Sequence, residues 1–286
     1  MNFSLVLATL GRTHELQRFF KSAAAQTHRS FEIIVVDQNV DDRLVPLIEQ
    51  ARGLGLLVQH LRSAPGLSRA RNCGLLRASG DVVAFPDDDC WYEPGTLAAV
   101  DAALSSRLDH EGLVACWAEQ AAMMGASTEG PLSLAQLRSF RGGDASSITL
   151  YFRRSLLDQI GTFDERLGLG ARFGAAEETD LVLRALAAGA TLTRCSSVVV
   201  HHHLPAPGAQ TVTTDWCKTL ARARGTGAIY AKHRLAAAVI VRGLLAPPFT
   251  AIASRQGLQA FKLSLAISAG RLSGLVRWWF EERWRC

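Results

Sequence analysis

Three adjacent carboxylates, Asp87, Asp88 and Asp89, are the residues of this 286-residue chain whose spacing most directly suggests chemistry. Neighbouring carboxylates repel one another, and a bound cation offsets this repulsion. Mg²⁺ and Mn²⁺ take oxygen ligands and usually keep waters or substrate phosphates in their coordination shell. An acidic triplet alone is more often a solvated surface turn, so the flanking sequence has to decide between these two interpretations.

A second acidic group, Glu177, Glu178 and Asp180, lies at the start of a segment with helical spacing. A carboxylate in such a position could accept the proton of an attacking hydroxyl group. Acidic residues also stabilise a helix N-terminus through the helix dipole, whether or not one of them is catalytic. The residue types alone therefore leave both interpretations open.

Three histidines, His201 to His203, end the apolar strand pattern SSVVVHHH. In a strand, His201 and His203 point to one face and His202 to the other. A zinc site made only of these histidines is disfavoured, because nearby acids and phosphates suit a harder cation. A histidine-rich strand end without any such role is the alternative.

The elements around these groups predict an α/β fold. Two continuous apolar runs, FSLVLAT and FEIIVVD, are separated by HELQRFFKSAAAQ, in which apolar residues recur at helical spacing. The alternation continues with a helix at 44–54, the strand LLVQHLR, a helix at 67–78 and the strand DVVAFPDDD. This pattern is typical of a doubly wound, mostly parallel sheet flanked by helices, in which ligands bind beyond the carboxyl ends of the strands. Asp37 and the acidic run lie at two such ends, so we expect them to face one crevice.

Composition and charge divide the chain at about residue 210. The hydrophobic fraction of 48% is enough for a full core, and six scattered cysteines without a CxxC pair or a signal pattern predict a cytoplasmic protein. Residues 1–210 carry a net charge of −4 and residues 211–286 a net charge of +9. A basic segment indicates an anionic partner, and basic residues interleaved with aliphatic ones argue against nucleic acid.

The C-terminal segment 211–286 is predicted to be a basic, amphipathic helical extension, interrupted at Pro247-Pro248. Apolar residues spaced mostly by three or four are expected on one helix face: Leu258, Phe261, Leu265, Leu272, Leu275 and Trp279. Residues 235–280 could lie along the inner face of a membrane, with Trp278, Trp279 and Trp284 at the interface. They could equally pack on residues 1–210 or form a dimer contact.

The ordered set of motifs resembles the large family 2 type of inverting, nucleotide-sugar-dependent glycosyltransferases with the GT-A fold. The resemblance covers roughly residues 3–203. It rests on segments in the family's order and at its usual intervals: LVLATLGR, AAAQTHRSFEIIVVDQNVDD, GLSRARNCGLLRASGDVVAFPDDDCWY, LLDQIGTFDERLG and AAEETDLVLRALAAGA.

The resemblance implies a donor site around the acidic run. Thr9 and Asp37 are expected to contact the nucleoside, and Arg71 the nucleotide or its diphosphate. Asp87 and Asp89 match the two acids of the family's DxD element and are expected to hold Mg²⁺ or Mn²⁺, with Asp88 assigned to the substrate.

The resemblance also implies a general base and a further metal ligand. Glu178 corresponds to the general base, although most relatives have Asp there, and Asp180 could share the task. His201 is expected as a further metal ligand, with His203 as the alternative.

The function that this resemblance implies is transfer of a sugar from a nucleoside diphosphate donor, a UDP-sugar foremost, to a hydroxyl of a glycan or lipid-linked acceptor. Two alternatives are a nucleotide-sugar-binding protein that has lost turnover, favoured only by Glu178, and a sugar nucleotidyltransferase. The second alternative needs a glycine-rich basic loop after the first strand, and LGRT is a poor version of such a loop. Donor, acceptor and linkage cannot be read from these residues.

Overall fold

A computed structural model describes residues 1–124, 129–140, 146–203, 216–255 and 257–283. The strands are β1 (Phe3–Thr9), β2 (Phe31–Asp37), β3 (Val58–Arg62), β4 (Val82–Ala84), β5 (Cys90–Tyr92), β6 (Gly112–Trp117), β7 (Gly130–Pro131), β8 (Leu150–Arg153) and β9 (Leu192–His202). The helices of the first 203 residues are α1 (His14–Ala24), α2 (Val45–Gly53), α3 (Leu67–Leu75), α4 (Thr96–Ser105), α5 (Ala118–Met124), α6 (Leu134–Ser139), α7 (Arg154–Ile160) and α8 (Glu177–Ala187). Three longer helices follow: α9 (Trp216–Lys232), α10 (Ala237–Ala253) and α11 (Gly257–Arg283).

The strands form one sheet in the order β3-β2-β1-β4-β8-β6-β9-β5, with β7 paired to β9. Strands β1 to β4 run parallel to their neighbours among themselves, and β6 is parallel to β9. Strand β8 is antiparallel to both β4 and β6, and β5 is antiparallel to β9. The predicted order of the first βα units is confirmed, while the antiparallel β8 comes from a pairing that is distant in sequence.

The two faces of the sheet bury two apolar cores, as a sheet covered by helices on both sides requires. Along β2, Ile33 and Val35 join the core under α1, α2 and α4, while Ile34 and Val36 join the core under α3, α7 and α8. Because successive side chains of a strand point to opposite faces, the unbroken apolar run of β2 fills both cores.

The C-terminal helices α9 and α11 pack into the second of these cores. Ala228 and Ile229 of α9 and Trp278 of α11 are buried there, and the Trp278 ring lies 5.2 Å from that of Phe173. Of the three open expectations for this segment, packing on the body therefore holds for α9 and α11, and Trp278 is not available to a membrane interface. The proposed boundary at 210/211 and Trp284 lie outside the described residues.

Helix α10 continues through Pro247 and Pro248, where the sequence predicted an interruption. A proline lacks the amide hydrogen that bonds the carbonyl four residues earlier, so these two leave the carbonyls of Gly243 and Leu244 without their helical donors. Side chains of α11 replace them: Arg271 Nη1 donates to Gly243 O at 2.6 Å and Ser268 Oγ to Leu244 O at 2.6 Å. The neighbouring helix thus stabilises the continuous conformation.

Among the described residues, no helix combines the length and the apolar character that crossing a membrane requires.

Candidate active site

The acidic run lies on a tight turn beyond the carboxyl end of β4. Ala8 of β1 forms a parallel bridge with Asp87, and the amide of Cys90 donates to the Asp87 carbonyl at 3.2 Å. This turn directs the three carboxylates differently, although they are adjacent in sequence. The predicted crevice at the carboxyl edge of the sheet is where they meet their partners.

Asp87, Asp89 and His202 form a compact cluster whose potential ligand atoms lie within 4.8 Å of one another. His202 Nε2 lies 2.9 Å from Asp89 Oδ1. Two carboxylate oxygens and one imidazole nitrogen are donors that fit a divalent cation such as Mn²⁺, with positions left for waters or phosphate oxygens. These three residues could hold the cation that the resemblance implies.

The electrostatics favour the charged forms of Asp89 and His202 but not that of Asp87. Burial opposes ionisation of Asp89, but the hydrogen bond and charge of His202 and the charge of Arg12 outweigh it and lower the pKa of Asp89. Burial likewise opposes the charged form of His202, yet the hydrogen bond and charge of Asp89 raise its pKa. Desolvation raises the pKa of Asp87 despite the nearby Arg71 guanidinium. A divalent cation bound to these ligands would offset the repulsion between the two carboxylates.

The structure places His202 in this cluster, where the sequence led us to expect His201. Strand β9 pairs with β5 in a register that sets His202 opposite Cys90 and His201 opposite Trp91. His201 therefore stacks on Trp91 and contacts Glu119 at 2.9 Å and Glu93 at 3.2 Å. The alternative, His203, lies against Arg18.

Arg71 of α3 connects the acidic run to the second acidic group. Its guanidinium is buried and donates to Asp87 Oδ1 at 3.0 Å, Glu177 Oε1 at 2.9 Å and Ser147 Oγ at 2.8 Å. Three of the five guanidinium N–H groups are bonded to these protein acceptors, so Arg71 fixes Asp87 and Glu177 relative to each other. The expected contact between Arg71 and a diphosphate stays a prediction.

Glu177 and Glu178 are the first two residues of α8. Ala176, immediately before them, has a left-handed backbone conformation with φ 75°. Among the described residues, the buried Oε2 atom of Glu178 has no hydrogen-bond partner. Burial, together with the adjacent charge of Glu177, raises the pKa of Glu178 to about 8. A carboxylate that keeps one oxygen without a partner and has a pKa near neutrality suits proton transfer.

Asp180, the predicted alternative base, turns the other way. It is fully buried and accepts from His233 Nε2 at 2.8 Å and Arg184 Nε at 2.9 Å, with Lys232 Nζ also at 2.8 Å. Burial alone would raise its pKa, but His233, Lys232 and Arg184 lower it. Asp180 thus joins α8 to α9 and does not face the cluster.

The remaining predicted residues line the carboxyl edge of β1 and β2. Thr9 Oγ1 donates to Asp88 Oδ2 at 2.7 Å, so Asp88 points toward β1 and away from His202. Asp37 is fully buried and lies 3.0 Å from His60 Nε2 and 3.1 Å from Arg62 Nη1. Asp37 therefore orients the two basic side chains of β3.

Arg12 is a site residue that our sequence analysis treated only as part of a turn. Its Nη1 lies 2.6 Å from Asp88 Oδ1 and 2.5 Å from Asp89 Oδ2. The side chain is about half exposed, at 46%. A single arginine after a strand has no sequence pattern that marks it as a site residue. Its position at the same sheet edge as the acidic run could nevertheless have indicated a contact with these carboxylates.

A mixed sheet whose parallel strands end at an acid–histidine cluster, with a helix N-terminus supplying a further carboxylate, forms an open α/β fold with a crevice at the carboxyl ends of its strands. Residues 4–110 match the family model described as "Glycosyl transferase family 2". This segment includes Arg12, Arg71 and the acidic run, whereas Glu178 and His202 lie beyond it.

Over 97 residues the chain is 34% identical to the uncharacterized glycosyltransferase YwdF of Bacillus subtilis, covering 34% of this chain and 36% of that protein. The chain spans about a third of the length of the curated relatives it matches.

Two solved structures are similar over nearly the whole chain. The mannosyltransferase PcManGT of Pyrobaculum calidifontis, in complex with GDP-Man and Mn²⁺, has a TM-score of 0.66 and 15% identity and covers 98% of this chain and 88% of that chain. Staphylococcus aureus TarS 1-349 in complex with UDP-GlcNAc has a TM-score of 0.61 and 15% identity, covering 95% and 92%. This likeness confirms the predicted GT-A fold class.

Proposed function

We propose that the protein is an inverting glycosyltransferase that moves a sugar from a nucleoside diphosphate donor to a hydroxyl group of a glycan or lipid-linked acceptor. The observation that carries this proposal is the link through Arg71 between a cation-binding cluster and the Glu177-Glu178 pair. Such a transfer needs stabilisation of the departing diphosphate and a base for the acceptor proton, and the two halves of the site offer one of each.

Asp87, Asp89 and His202 are the residues that we propose to hold a divalent cation. When bound, the cation supplies positive charge to the diphosphate of the donor. The imidazole ligand favours Mn²⁺ over Mg²⁺, since Mg²⁺ more strongly prefers oxygen. The Mn²⁺ bound by the similar PcManGT supports this choice.

Glu178 is the proposed general base. Its partnerless oxygen is available to the acceptor hydroxyl, while Glu177 is committed to Arg71. As the acceptor oxygen attacks the anomeric carbon from the side opposite the diphosphate, Glu178 takes its proton, and this geometry inverts the configuration.

The nucleoside end of the donor is assigned to the edge formed by β1, β2 and β3. Thr9 and Asp37 lie at this edge. Asp37 also orients the Arg62 side chain, which is 40% exposed there and carries a positive charge. The exposed Arg12 guanidinium is placed to meet the diphosphate once a cation neutralises Asp89. UDP-sugars are the first donors to test, since a similar structure binds UDP-GlcNAc.

Donor hydrolysis and Mn²⁺-dependent thermal shift, measured with UDP-, GDP- and dTDP-sugars, test the proposal. We expect one donor class to raise the melting temperature only with Mn²⁺, and Asp89→Asn to remove this response. Glu178→Gln should keep the donor-induced shift but lower transfer by about 10²–10⁴-fold, the usual contribution of a general base.

Glu165→Gln is the matched control, since Glu165 is an exposed carboxylate on the loop before α8 that bonds Arg69 and Asn72. It should transfer at the wild-type rate. If no nucleotide sugar shifts the melting temperature with Mn²⁺, the proposed function is wrong. Donor binding without turnover in the wild type would instead favour the binding-protein alternative.

A further inference from the structure

Helix α10 is apolar along nearly its whole length, and about half of its residues are exposed. Its 17 residues include a single charged side chain, Arg242, and a single buried residue, Ala251. Phe249 is 72% exposed and Leu245 62%, and Val241 and Ile252 lie on the same side of the helix at spacings of three and four. A helix that is apolar all round is normally buried in a core or in lipid.

Helix α11 adds a second exposed apolar row beside the first. Leu258, Leu265, Leu272, Val276 and Trp279 are 40–69% exposed and recur on one face. The opposite face of α11 is the one that packs on α9, through small residues at Ala266, Gly270 and Gly274. Four of the six residues of the apolar stripe predicted from the sequence are therefore exposed, while Phe261 and Leu275 are half-buried.

The exposed charges around these rows are basic. Arg255, Lys262, Arg277 and Arg283 are exposed, and Lys262 falls within the α11 row itself. The two acids of α11 point back to the body: Glu281 pairs with Arg172 at 2.7 Å and Glu282 with Arg166 at 3.1 Å. The Arg283 guanidinium lies 4.3 Å from the centre of the Trp279 ring, an aromatic-basic pair common at membrane interfaces.

We propose that the outer rows of α10 and α11 form a docking face for an anionic lipid surface, on which both helices lie without crossing it. Apolar side chains enter the boundary between headgroups and acyl chains, and the basic side chains meet the lipid phosphates. Charge favours lipid over a second copy of this chain, because a second copy would bring an equally basic surface against the first.

Co-sedimentation of the full chain with vesicles, in the absence of donor and cation, tests this face. We expect binding to vesicles of phosphatidylcholine with phosphatidylglycerol and much weaker binding to phosphatidylcholine alone. Lys262→Gln combined with Arg277→Gln should weaken binding about thirtyfold, since each basic residue near an anionic surface contributes about fivefold. Leu245→Glu combined with Phe249→Glu should abolish it.

Leu76→Glu combined with Leu108→Glu is the matched control, because both leucines are 82% exposed on the body. It should bind vesicles like the wild type. Wild-type chain that stays in the supernatant, or α10 variants that bind unchanged, would overturn the proposal.

Light scattering on the same samples separates lipid from a second copy. A dimer that the α10 substitutions dissociate, without vesicle binding by the wild type, would assign the face to self-association and also contradict the proposal. Circular dichroism melting confirms that each variant is folded. The result does not depend on turnover, so it is independent of the proposed glycosyltransferase activity.

Discussion

Glu178 combines a buried carboxylate oxygen with an adjacent acid, and both features favour its protonated form. With a pKa of about 8, Glu178 gains its charge as the pH rises through the neutral range. A general base acts only when ionised, so we expect kcat/KM to rise about tenfold per pH unit below pH 7 and to level off above pH 8. A pH–rate profile at fixed Mn²⁺ measures this.

Glu178→Asp provides the control for that profile. It keeps the carboxylate and should retain the rising limb with a lower plateau, while Glu178→Gln should flatten the profile. A wild-type rate independent of pH between 6 and 8 contradicts the assignment of Glu178 as the base.

Arg12 occupies the carboxylates that a cation would use. Because its guanidinium contacts both Asp88 and Asp89, a cation has to displace it from Asp89. We expect Arg12→Gln to tighten Mn²⁺ binding in the absence of donor by about threefold to tenfold, a modest effect because the arginine is half exposed. Electron paramagnetic resonance of free Mn²⁺ during titration measures this affinity.

Arg43→Gln is the control for Arg12, since Arg43 has similar exposure and pairs with Asp41 away from the cluster. Its Mn²⁺ affinity should equal that of the wild type. Unchanged or weaker Mn²⁺ binding by Arg12→Gln would show that Arg12 does not compete with the cation.

Single residues differed in how far the sequence could assign them. The acidic run after a buried strand indicated where Asp87 and Asp89 lie, while their role as metal ligands stays a prediction. The histidine beside them could not be chosen from the sequence, because the choice between His201 and His202 depends on the register between β9 and β5 and on a bulge between Ala115 and Cys116 of β6. Neither feature has a local sequence signal.

At the scale of elements, α10 depends on α11 for two backbone hydrogen bonds. Ser268 donates to Leu244 O, the carbonyl that Pro248 leaves without its helical donor. We expect Ser268→Ala to lower the free energy of unfolding by about 1 kcal/mol, the usual cost of losing such a bond. In a Pro248→Ala background the amide of residue 248 can bond Leu244 O, so the same substitution should cost much less. Urea denaturation of the four proteins measures the coupling.

An equal cost of Ser268→Ala in both backgrounds would contradict this explanation of the continuous helix. Ser254→Ala is a useful control at the exposed end of α10, and it should change stability by less than about 0.5 kcal/mol.

Helix and strand positions in the first 90 residues followed from local patterns, since apolar runs and helical spacing alternate there. The continuous helix through the double proline of α10 did not follow from local patterns, because it depends on side chains of α11 that lie 20 to 30 residues further along the chain. The central antiparallel β8 also depends on a non-local pairing, between β4 and β6, that no periodicity within its four residues could indicate.

Across the whole molecule, Asp180 joins residues 1–203 to the C-terminal helices. Breaking a buried charge network by removing one member usually costs about 3–5 kcal/mol, and we expect a loss of this size from Asp180→Asn. Because the folded pKa of Asp180 is lowered, its contribution is present above the unfolded pKa and disappears as the pH falls through the folded value. The wild type should therefore lose more stability than the variant on acidification from pH 7.

Urea denaturation at pH 7 and in acid measures both effects. Asp41→Asn, at an exposed pair with Arg43, is the control and should change stability by less than about 1 kcal/mol. The folded fraction of Asp180→Asn should retain transfer within about tenfold of the wild type. A loss of activity as large as that of Glu178→Gln would instead make Asp180 part of the reaction.

Two glycines of α9 lie very close to the backbones of neighbouring segments, one in residues 1–203 and one in α11. A Cβ on Gly225 of α9 would overlap the backbone of Ala175, and one on Gly227 would overlap the backbone of Arg271 in α11. Ala175 lies three residues before Glu178, so the backbone that presents the proposed base rests directly on α9, which in turn rests on α11. Exchanging the C-terminal helices of this chain for those of a similar chain would therefore also reposition the proposed base. A chimera would have to transfer the loop at 174–178 together with the helices.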